Sequence, residues 1–437
     1  MIATPGTGLI GILILFALLL SGVRIGVALG LVGLGGLALT IGIEPALIKS
    51  GVILIDTLTR YELGTLPLFL FMAHVFFSID ASRDLFEAAS RMVGHRRGGL
   101  AYASIAGCGG FGAINGSSLA TAATVGLVAI PEMQRRGYAD TLATGTVAAG
   151  GTLGQMIPPS GALIVFGIIA ETSIGSLFTA AIIPGITQAL LYSAVIWLLV
   201  RIRPELAPAG ERAAWPERLR ALARIWEIVL LILFVVGGIA FGWISPPEAA
   251  AIGAAGALLI AAIRRRLSLS MLYSASSEAL QTTGMLFLII IGALIFSTFV
   301  GVTGLAVAAG EAVASLGFGT IGTLLTVAVL LLLLGSVLDG LALMLLTTPI
   351  LLPIVSATGM SAVWFGIFIT RAMEIGFVHP PIGMNLYVIQ RVSGDIPISR
   401  IFRGVAPFLA SDFIHLVLLI LFPALVYWLP TLLGQSL

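Results

Sequence analysis

Two polar stretches in the first half of the chain carry oxygen atoms that suit a small cation. They read GAINGSSLATAA at 112–123 and AAGGTLGQMIPPSG at 148–161. Their side-chain oxygens are neutral and belong to Asn115, Ser117, Ser118, Thr121, Thr152 and Ser160. The pair Pro158-Pro159 lacks backbone N–H groups and so frees carbonyl oxygens of the preceding turn. Neutral oxygens at this density suit Na⁺, whereas zinc and copper prefer nitrogen and sulfur.

The corresponding part of the second half carries charge as well. Its polar residues are Asp339, Thr347, Thr348, Arg371, Glu374, His379 and Asn385. Arg371 and Glu374 lie three residues apart, so one hypothesis is that they neutralise each other on one helix face. The other hypothesis is that Arg371 meets a substrate carboxylate during part of a cycle, because ionisable residues inside a membrane are costly and functional.

A purely structural interpretation of the polar stretches is that small residues let helices pack closely.

Composition defines the class of protein. Of 437 residues, 59% are hydrophobic and 10% charged, against roughly a quarter charged in soluble domains. The net charge of +2 is too small for a nucleic-acid partner, and the single Cys108 excludes an internal disulfide. With no P-loop and no catalytic constellation, the sequence predicts a polytopic membrane protein that is not an enzyme and has no cofactor besides a coupling ion.

Four apolar stretches are interrupted by glycine, proline and polar residues. We predict re-entrant hairpins at about 99–130 and 319–356 and broken helices at about 139–170 and 361–390. With this assignment every Lys and Arg except Lys49, Arg60 and Arg371 falls on one face. The positive-inside rule makes that face cytoplasmic and places both termini on the periplasmic side. The amphipathic segments 82–93 and 268–282 are predicted to lie on the membrane surface.

The two halves of the chain match at one constant offset in residue number. The offset pairs Pro131 with Pro353, Gly154 with Gly376 and Gly161 with Gly383. It also pairs Pro158-Pro159 with Pro380-Pro381. Because the charge pattern makes the two hairpins enter from opposite sides, we predict an inverted-topology repeat, the architecture of secondary transporters.

The repeat also sets the expected domain organisation. Residues 1–63 are predicted to be N-terminal scaffold helices and 64–200 the first repeat. A cytoplasmic linker at 201–224 and scaffold helices at 225–263 follow, and 264–437 holds the second repeat with the final helix.

Several motifs together resemble the large membrane subunit of tripartite ATP-independent periplasmic (TRAP) transporters, the DctM family. The motifs occur in the family's order and cover nearly the whole chain. Besides the two polar stretches they are LPLFLF at 66–71, IPEMQRRGY at 130–138, ETSIGSLFTAAIIPG at 171–185 and EIGFVHPPIGMNLYV at 374–388.

The resemblance implies an elevator-type, Na⁺-coupled transporter of organic acids such as C4-dicarboxylates or sialic acids in the bacterial inner membrane. It implies two partners, a small four-helix membrane subunit of the DctQ type and a periplasmic substrate-binding protein of the DctP type. The cation ligands that it implies lie at the tips and breaks: Asn115, Gly116, Ser117, Ser118, Gly151, Thr152, Gly154, Pro158, Ser160, Asp339, Gly340, Thr348, Gly376, His379 and Asn385. The candidate substrate contacts are Arg371, Glu374 and Ser117.

One residue departs from the family pattern, because His379 stands where the commoner motif has threonine before the second proline pair. This puts the second cation site in doubt or indicates altered proton sensitivity. Two alternatives stay open at this stage. One is a stand-alone Na⁺- or H⁺-coupled symporter for citrate or other divalent anions, and the other is a non-transporting membrane scaffold.

Overall fold

In a computed structural model, the described residues (3–336, 338–380 and 382–435) are almost entirely helical, with no strand in those ranges. Within these residues, six helices are long and apolar enough to cross a membrane. The number rises to eight if each of two bent helix pairs counts as one span: Asp140–Met156 with Gly161–Ile169, and Trp215–Leu222 with Trp226–Ala240. The prediction of an all-α polytopic membrane protein is therefore confirmed.

The first half begins with five helices that are joined by short turns: α1 (Pro5–Leu20), α2 (Ile25–Ile41), α3 (Ile43–Thr59), α4 (Thr65–Ser78) and α5 (Ala81–Val93). The polar stretches lie in the next five: α6 (Gly99–Asn115), α7 (Ser118–Arg135), α8 (Asp140–Met156), α9 (Gly161–Ile169) and α10 (Ile174–Ile202). Two short 3-10 turns, Tyr61–Gly64 and Pro204–Leu206, lie outside these helices.

The connecting region and the second half contain eleven more helices in the described part of the chain. The connection is formed by α11 (Trp215–Leu222), α12 (Trp226–Ala240) and α13 (Pro246–Ile263). The rest are α14 (Leu269–Thr303), α15 (Leu305–Ser315), α16 (Gly319–Gly335), α17 (Gly340–Ala357), α18 (Ala362–Val378), α19 (Met384–Val392), α20 (Ile398–Leu421) and α21 (Ala424–Leu432).

Helix boundaries in the two halves follow the sequence offset. Shifted by the offset that pairs Gly154 with Gly376, the bounds of α7 and α8 coincide with those of α17 and α18. Helices α6 and α16 are both 17 residues long, and α9 and α19 are both 9 residues long. Helices α8 and α9 meet at an angle of 42°. The interruptions that the sequence analysis singled out are therefore the points where these helices end.

Helix α14 differs from the sequence expectation. Segment 268–282 was expected to form a separate surface helix, but it is the first part of one continuous helix of 35 residues. Ser268 caps its first turn by accepting a hydrogen bond from the Met271 amide at 3.1 Å. No glycine or proline precedes Gly284 in this helix, so nothing in the local sequence ends it earlier. At about 1.5 Å per residue, the helix is longer than a bilayer core of about 30 Å.

Close helix crossings depend on glycine. At the crossing of α2 and α14, a Cβ on Gly33 would lie 2.6 Å from the Phe296 amide nitrogen, and one on Gly292 would lie 2.4 Å from the Gly26 carbonyl oxygen. At the crossing of α8 and α20, a Cβ on Gly404 would lie 2.1 Å from the backbone oxygen of residue 141. Backbone contact of this kind replaces the hydrophobic driving force that is missing between helices in lipid.

Substituting Gly404 by alanine tests the crossing of α8 and α20. The added methyl group meets backbone that cannot rotate away, so we expect Gly404→Ala to destabilise the protein by roughly 1–3 kcal/mol. The matched control is Gly237→Ala in α12, where a Cβ would meet nothing within 4 Å. That substitution should be neutral or stabilising by about 0.5–1 kcal/mol. Thermal unfolding of the purified protein measures both, and equal melting temperatures for the two variants would contradict the prediction.

Candidate functional site

The first hairpin turns at Gly116, directly against the break between α8 and α9. The Gly116 carbonyl oxygen accepts a hydrogen bond from the Gly161 amide at 3.3 Å. Gly116 has a φ of +61°, and a Cβ there would lie 2.6 Å from the Pro159 carbonyl oxygen. Both facts require glycine at this position. The two polar stretches therefore meet, and the Pro158-Pro159 peptide bond between α8 and α9 is cis.

Two serines at this junction begin helices. Ser117 Oγ accepts a hydrogen bond from the Ala120 amide, and Ser160 Oγ accepts one from the Leu163 amide, each at 3.4 Å. They are the N-caps of α7 and α9. The N-termini of α7 and α9 carry partial positive charge, and the C-termini of α6 and α8 carry partial negative charge. The junction thus combines helix ends that favour an anion with helix ends that favour a cation.

The side chain of Asn115 holds the tip of this hairpin together. Its Oδ1 accepts a hydrogen bond from the Ser117 amide at 2.7 Å, and its Nδ2 donates to Thr121 Oγ1 at 2.9 Å. Thr121 is fully buried, whereas Asn115 and Ser117 are partly exposed. Hydrogen bonds therefore hold the side chains of these three residues together at the hairpin tip, and two of the residues are partly exposed.

Glycines of α8 allow the hairpin to approach this closely. A Cβ on Gly154 would lie 2.4 Å from Thr121 Oγ1, and one on Gly151 would lie 2.7 Å from Ala122 Cβ. The close-packing interpretation therefore describes Gly151 and Gly154 well, and their side of α8 has no room for a side chain.

The second hairpin repeats part of this arrangement with an acid in place of serine. Asp339 is the N-cap of α17 and accepts a hydrogen bond from the Leu341 amide at 3.1 Å. The next residue, Gly340, packs on α18, since a Cβ there would lie 2.4 Å from Met373 Cγ. The Thr348 hydroxyl donates to the carbonyl oxygen four residues earlier at 2.6 Å and is buried in α17. Asp339 and Gly340 thus lie at the tip, and Thr348 lies two turns away from it.

A glycine contact joins each hairpin to its broken helix. In the first half a Cβ on Gly112 would lie 2.5 Å from Gly154 Cα, and in the second a Cβ on Gly376 would lie 2.7 Å from the Gly335 carbonyl oxygen. Gly154 and Gly376 are paired by the sequence offset, so equivalent positions make equivalent contacts.

Asn385 connects the two halves. Its Nδ2 donates to Ser118 Oγ at 2.9 Å and to the Ala148 carbonyl oxygen at 3.1 Å, and the residue is fully buried. Its Oδ1 has no hydrogen-bond partner in the described part of the chain. Asn385 therefore belongs to the first junction in space, although it follows the second break in sequence.

His379 directly follows the last residue of α18 and is its C-cap. Its ring stands edge-on to Phe413 with 6.2 Å between the ring centres. Its Nδ1 is buried and has no hydrogen-bond partner among the described residues. Pro381, the second proline of this break, lies outside the described residues. The structure thus leaves the imidazole next to an aromatic ring, and does not bring it to Asn385 by a hydrogen bond.

A charged cluster occupies the interior, where α18 and α20 meet. Arg371 Nη1 donates to Glu374 Oε2 at 2.7 Å, and Arg371 Nη2 donates to Asp412 Oδ1 on α20. All three side chains have no exposed surface. Two carboxylates therefore share one guanidinium, and the pair expected from the sequence is a triad.

Neutral side chains extend the triad to the first half. Gln188 Nε2 on α10 lies 3.2 Å from Glu374 Oε2, 2.9 Å from Thr152 Oγ1 and 3.1 Å from Tyr192 Oη. Thr152 also contacts the Tyr192 hydroxyl at 2.9 Å. The sequence offset pairs Thr152 with Glu374, so Gln188 bridges equivalent positions of α8 and α18. We call the six residues Arg371, Glu374, Asp412, Gln188, Tyr192 and Thr152 the buried network.

In the described part of the chain, no hydrogen bond or ion pair joins Ser117 to the other two candidate substrate contacts, Arg371 and Glu374. Ser117 bonds within its own hairpin, whereas Arg371 is enclosed and pairs with two carboxylates. Sequence reasoning missed Asp412. An available signal was an acid in the middle of the apolar run that became α20, followed three residues later by His415.

Comparison with known proteins identifies the family. The family described as "Tripartite ATP-independent periplasmic transporter, DctM component" matches residues 12–425. The chain belongs to this family. It is 35% identical over 92% of its length to the C4-dicarboxylate TRAP transporter large permease protein DctM of Pseudomonas aeruginosa, covering 94% of that protein. It is 32% identical over 95% of its length to the sialic acid TRAP transporter large permease protein SiaM of Vibrio cholerae, covering 96% of that protein.

Other TRAP relatives add architectural information. The isethionate TRAP transporter permease protein DctMQ of Oleidesulfovibrio alaskensis is 33% identical over 94% of this chain, which spans 64% of that longer protein. Among solved structures, the YdaH transporter of Alcanivorax borkumensis matches with a TM-score of 0.58 and 16% identity, over 88% of this chain and 90% of that one. At this identity the likeness concerns the fold alone.

These findings confirm the family, and with it a multi-pass inner-membrane TRAP large permease subunit. The relatives are transporter permeases, in agreement with the prediction that the chain is not an enzyme.

Removing the guanidinium tests the charge balance of the triad. Arg371→Gln leaves Glu374 and Asp412 buried without a positive partner, so we expect a loss of about 3–5 kcal/mol in the free energy of unfolding. Glu374→Gln leaves one guanidinium with one carboxylate and should cost much less. Thermal unfolding in detergent compares the two variants. Equal stability would show that the triad is not held together by charge.

Proposed function

We propose that this TRAP large subunit carries out secondary active, Na⁺-coupled uptake of an organic acid. In this proposal a periplasmic substrate-binding protein of the DctP type delivers the acid. A small four-helix subunit of the DctQ type completes the membrane complex. The relatives named for C4-dicarboxylate, sialic acid and isethionate transport support an acidic substrate. The DctMQ protein, which extends well beyond the region matched by this chain, is consistent with a second membrane component.

The observation that carries the proposal is the contact between the Gly116 turn and the Pro158-Pro159 break. Backbone that leaves its helix inside a membrane is stable only where protein encloses it or a cavity lies beside it. Here the turn and the break lie against each other at 3.3 Å. The carbonyl ends of α6 and α8 suit Na⁺, and the amide ends of α7 and α9 suit a carboxylate. Adjacent sites for a cation and an anion provide a simple physical basis for symport.

The ligands that we assign to the first cation are the polar groups around this contact. Asn115 Oδ1, Ser117 Oγ and the free Oδ1 of Asn385 are the side-chain candidates. We assign a second cation to the tip at Asp339 and Gly340 with the end of α18 near Gly376. His379 takes the place of threonine there, so an imidazole stands where the commoner motif offers a hydroxyl.

We further propose that the helices form an inverted repeat that moves as an elevator. The matched bounds of α7 with α17 and of α8 with α18 support the repeat. The Asn385 contacts with Ser118 and Ala148 support movement of both halves as one body. The basic residues support a cytoplasmic face that carries the 201–224 linker, with both termini periplasmic.

Arg371 and Glu374 have a limited role in this scheme. Because Arg371 is enclosed and paired with two acids, a substrate reaches it only if the triad opens. We therefore assign first contact with the substrate to the Ser117 region and keep Arg371 and Glu374 as contacts of a second, rearranged state.

Uptake by proteoliposomes tests the coupling. The chain is reconstituted with its small subunit and binding protein, and labelled organic acids are supplied with an inward gradient of Na⁺ or of K⁺. We expect uptake only with Na⁺ and only with the binding protein. Ser117→Ala should raise the Na⁺ concentration for half-maximal uptake by roughly fivefold to tenfold, the effect of one lost ligand interaction. The exposed Ser315 on α15 provides the control variant Ser315→Ala, which should leave this concentration unchanged.

Three results would contradict the proposal in different ways. Uptake that is indifferent to Na⁺ would remove both cation assignments and direct attention to His379 and protons. Uptake without the binding protein would favour the stand-alone symporter. Equal effects of Ser117→Ala and Ser315→Ala would exclude the first junction as a Na⁺ site.

A further inference from the structure

Helix α11 exposes apolar residues and buries a charged one. Trp215 and Leu219 are 65% and 61% exposed, and Leu222 on the same face is also exposed. Arg218 between them is only 5% exposed. In water this distribution would be unfavourable, whereas a helix in the plane of a membrane interface shows its apolar side to lipid. Exposed Trp197 near the end of α10 and Trp226 at the start of α12 place α11 at the same level.

Arg218 has no acidic partner in the part of the chain that the structure describes. Its Nε and Nη2 are buried and make no hydrogen bond there. Its guanidinium lies over the ring of Trp215, at 5.4 Å from the ring centre. A buried guanidinium without a counter-charge is strongly unfavourable. An anion bound at this guanidinium would supply both the opposite charge and the hydrogen-bond acceptors.

Two further arginines belong to the same region, because Arg212 lines a cavity together with Gly94, and Arg96 follows Gly94 by two residues. Partial burial and then the positive charges of Arg218, Arg212 and Arg96 lower the pKa of His95 below its ordinary value. Within the described residues none of these three arginines forms an ion pair. The nearby acid Glu217 is already engaged, since it contacts Arg91 at 3.6 Å and accepts a hydrogen bond from the Ala214 amide. The other acid of this region, Glu211, stands next to Arg212 in the sequence, so the arginines outnumber the acids and the local field is positive.

A polar cavity of about 520 Å³ opens beside α11. Its lining combines the donors Arg91, Arg136, Arg212 and Tyr138 with two acids, Glu211 and Glu217. Arginines and a phenol are donors that match the oxygens of a phosphate group. The cavity thus lies next to both the positive field and the lipid-facing side of α11.

We propose that Arg218, Arg212 and Arg96 bind the phosphate group of an anionic phospholipid, whose acyl chains lie against Trp215, Leu219 and Leu222. The 201–224 linker is then a lipid-anchored element and not a solvated connection. Basic residues at a membrane surface are attracted to anionic lipids by about 1 kcal/mol each. The inference does not depend on Na⁺ coupling or on the substrate, so its failure would leave the proposed transport function untouched.

Lipid retention by the purified full chain tests the site. The protein is delipidated, titrated with phosphatidylglycerol or phosphatidylcholine in detergent, and examined by native mass spectrometry. We expect one phosphatidylglycerol to be retained per chain where phosphatidylcholine is not. Arg218→Gln and Arg212→Gln should each weaken retention about fivefold, the factor expected for one basic residue. Arg212 is exposed and does not support the fold, so its variant remains informative if Arg218→Gln does not fold.

The matched control is Arg220→Gln, which removes the same charge from the exposed side of α11. Retention like that of the unmodified chain would support the proposal, and a loss as large as that of Arg212→Gln would overturn it. Failure of the unmodified chain to retain phosphatidylglycerol would also overturn it. A further arm adds inorganic phosphate. If phosphate alone displaces the lipid and binds equally well without lipid, the site serves a soluble anion and the lipid assignment is wrong.

Discussion

Backbone that leaves a helix inside a membrane must find polar partners, and the arrangement of this protein around its first break follows from that need. At the Pro158-Pro159 break the Gly116 turn supplies a partner, because its carbonyl oxygen accepts a hydrogen bond from the Gly161 amide. Ser117 and Ser160 cap the helices that restart there. The hairpin turn and the helix break therefore stabilise each other, because each provides a polar partner for the other's backbone.

The glycines of α8 follow from the same requirement. The hairpin reaches the break only if Gly112, Gly151 and Gly154 keep the helices at backbone contact, and Gly145 with Gly404 does the same for α20. A bilayer gives no hydrophobic gain for bringing apolar helices together, so shape complementarity has to supply it. Packing therefore explains Gly151 and Gly154, which were candidates for ion binding. The side-chain oxygens at the junction then define a smaller candidate site.

Local signals in the sequence predicted the helix ends well. Proline pairs and glycine interrupt helices through the immediate backbone, so the breaks near 157–160 and 379–383 were readable. Contacts between distant parts of the chain could not be read from the sequence. Asn385 follows the second break but bonds Ser118 and Ala148, and Asp412 pairs with Arg371 from a different helix. Such partners depend on how helices are arranged in space. The continuous α14 was missed for another reason, since a change from amphipathic to apolar sequence does not itself end a helix.

All three charged residues of the buried network lie in the second half of the chain, which limits the number of charges that must be buried. In the first half, the positions equivalent to Arg371 and Glu374 are Ala149 and Thr152. A second charged triad would double the cost of taking ions out of water. Gln188 instead connects Thr152 to Glu374, so a single triad is linked to both α8 and α18. One consequence is that any opening of the triad loosens α8 and α18 together, which joins the two breaks through α10 and α20.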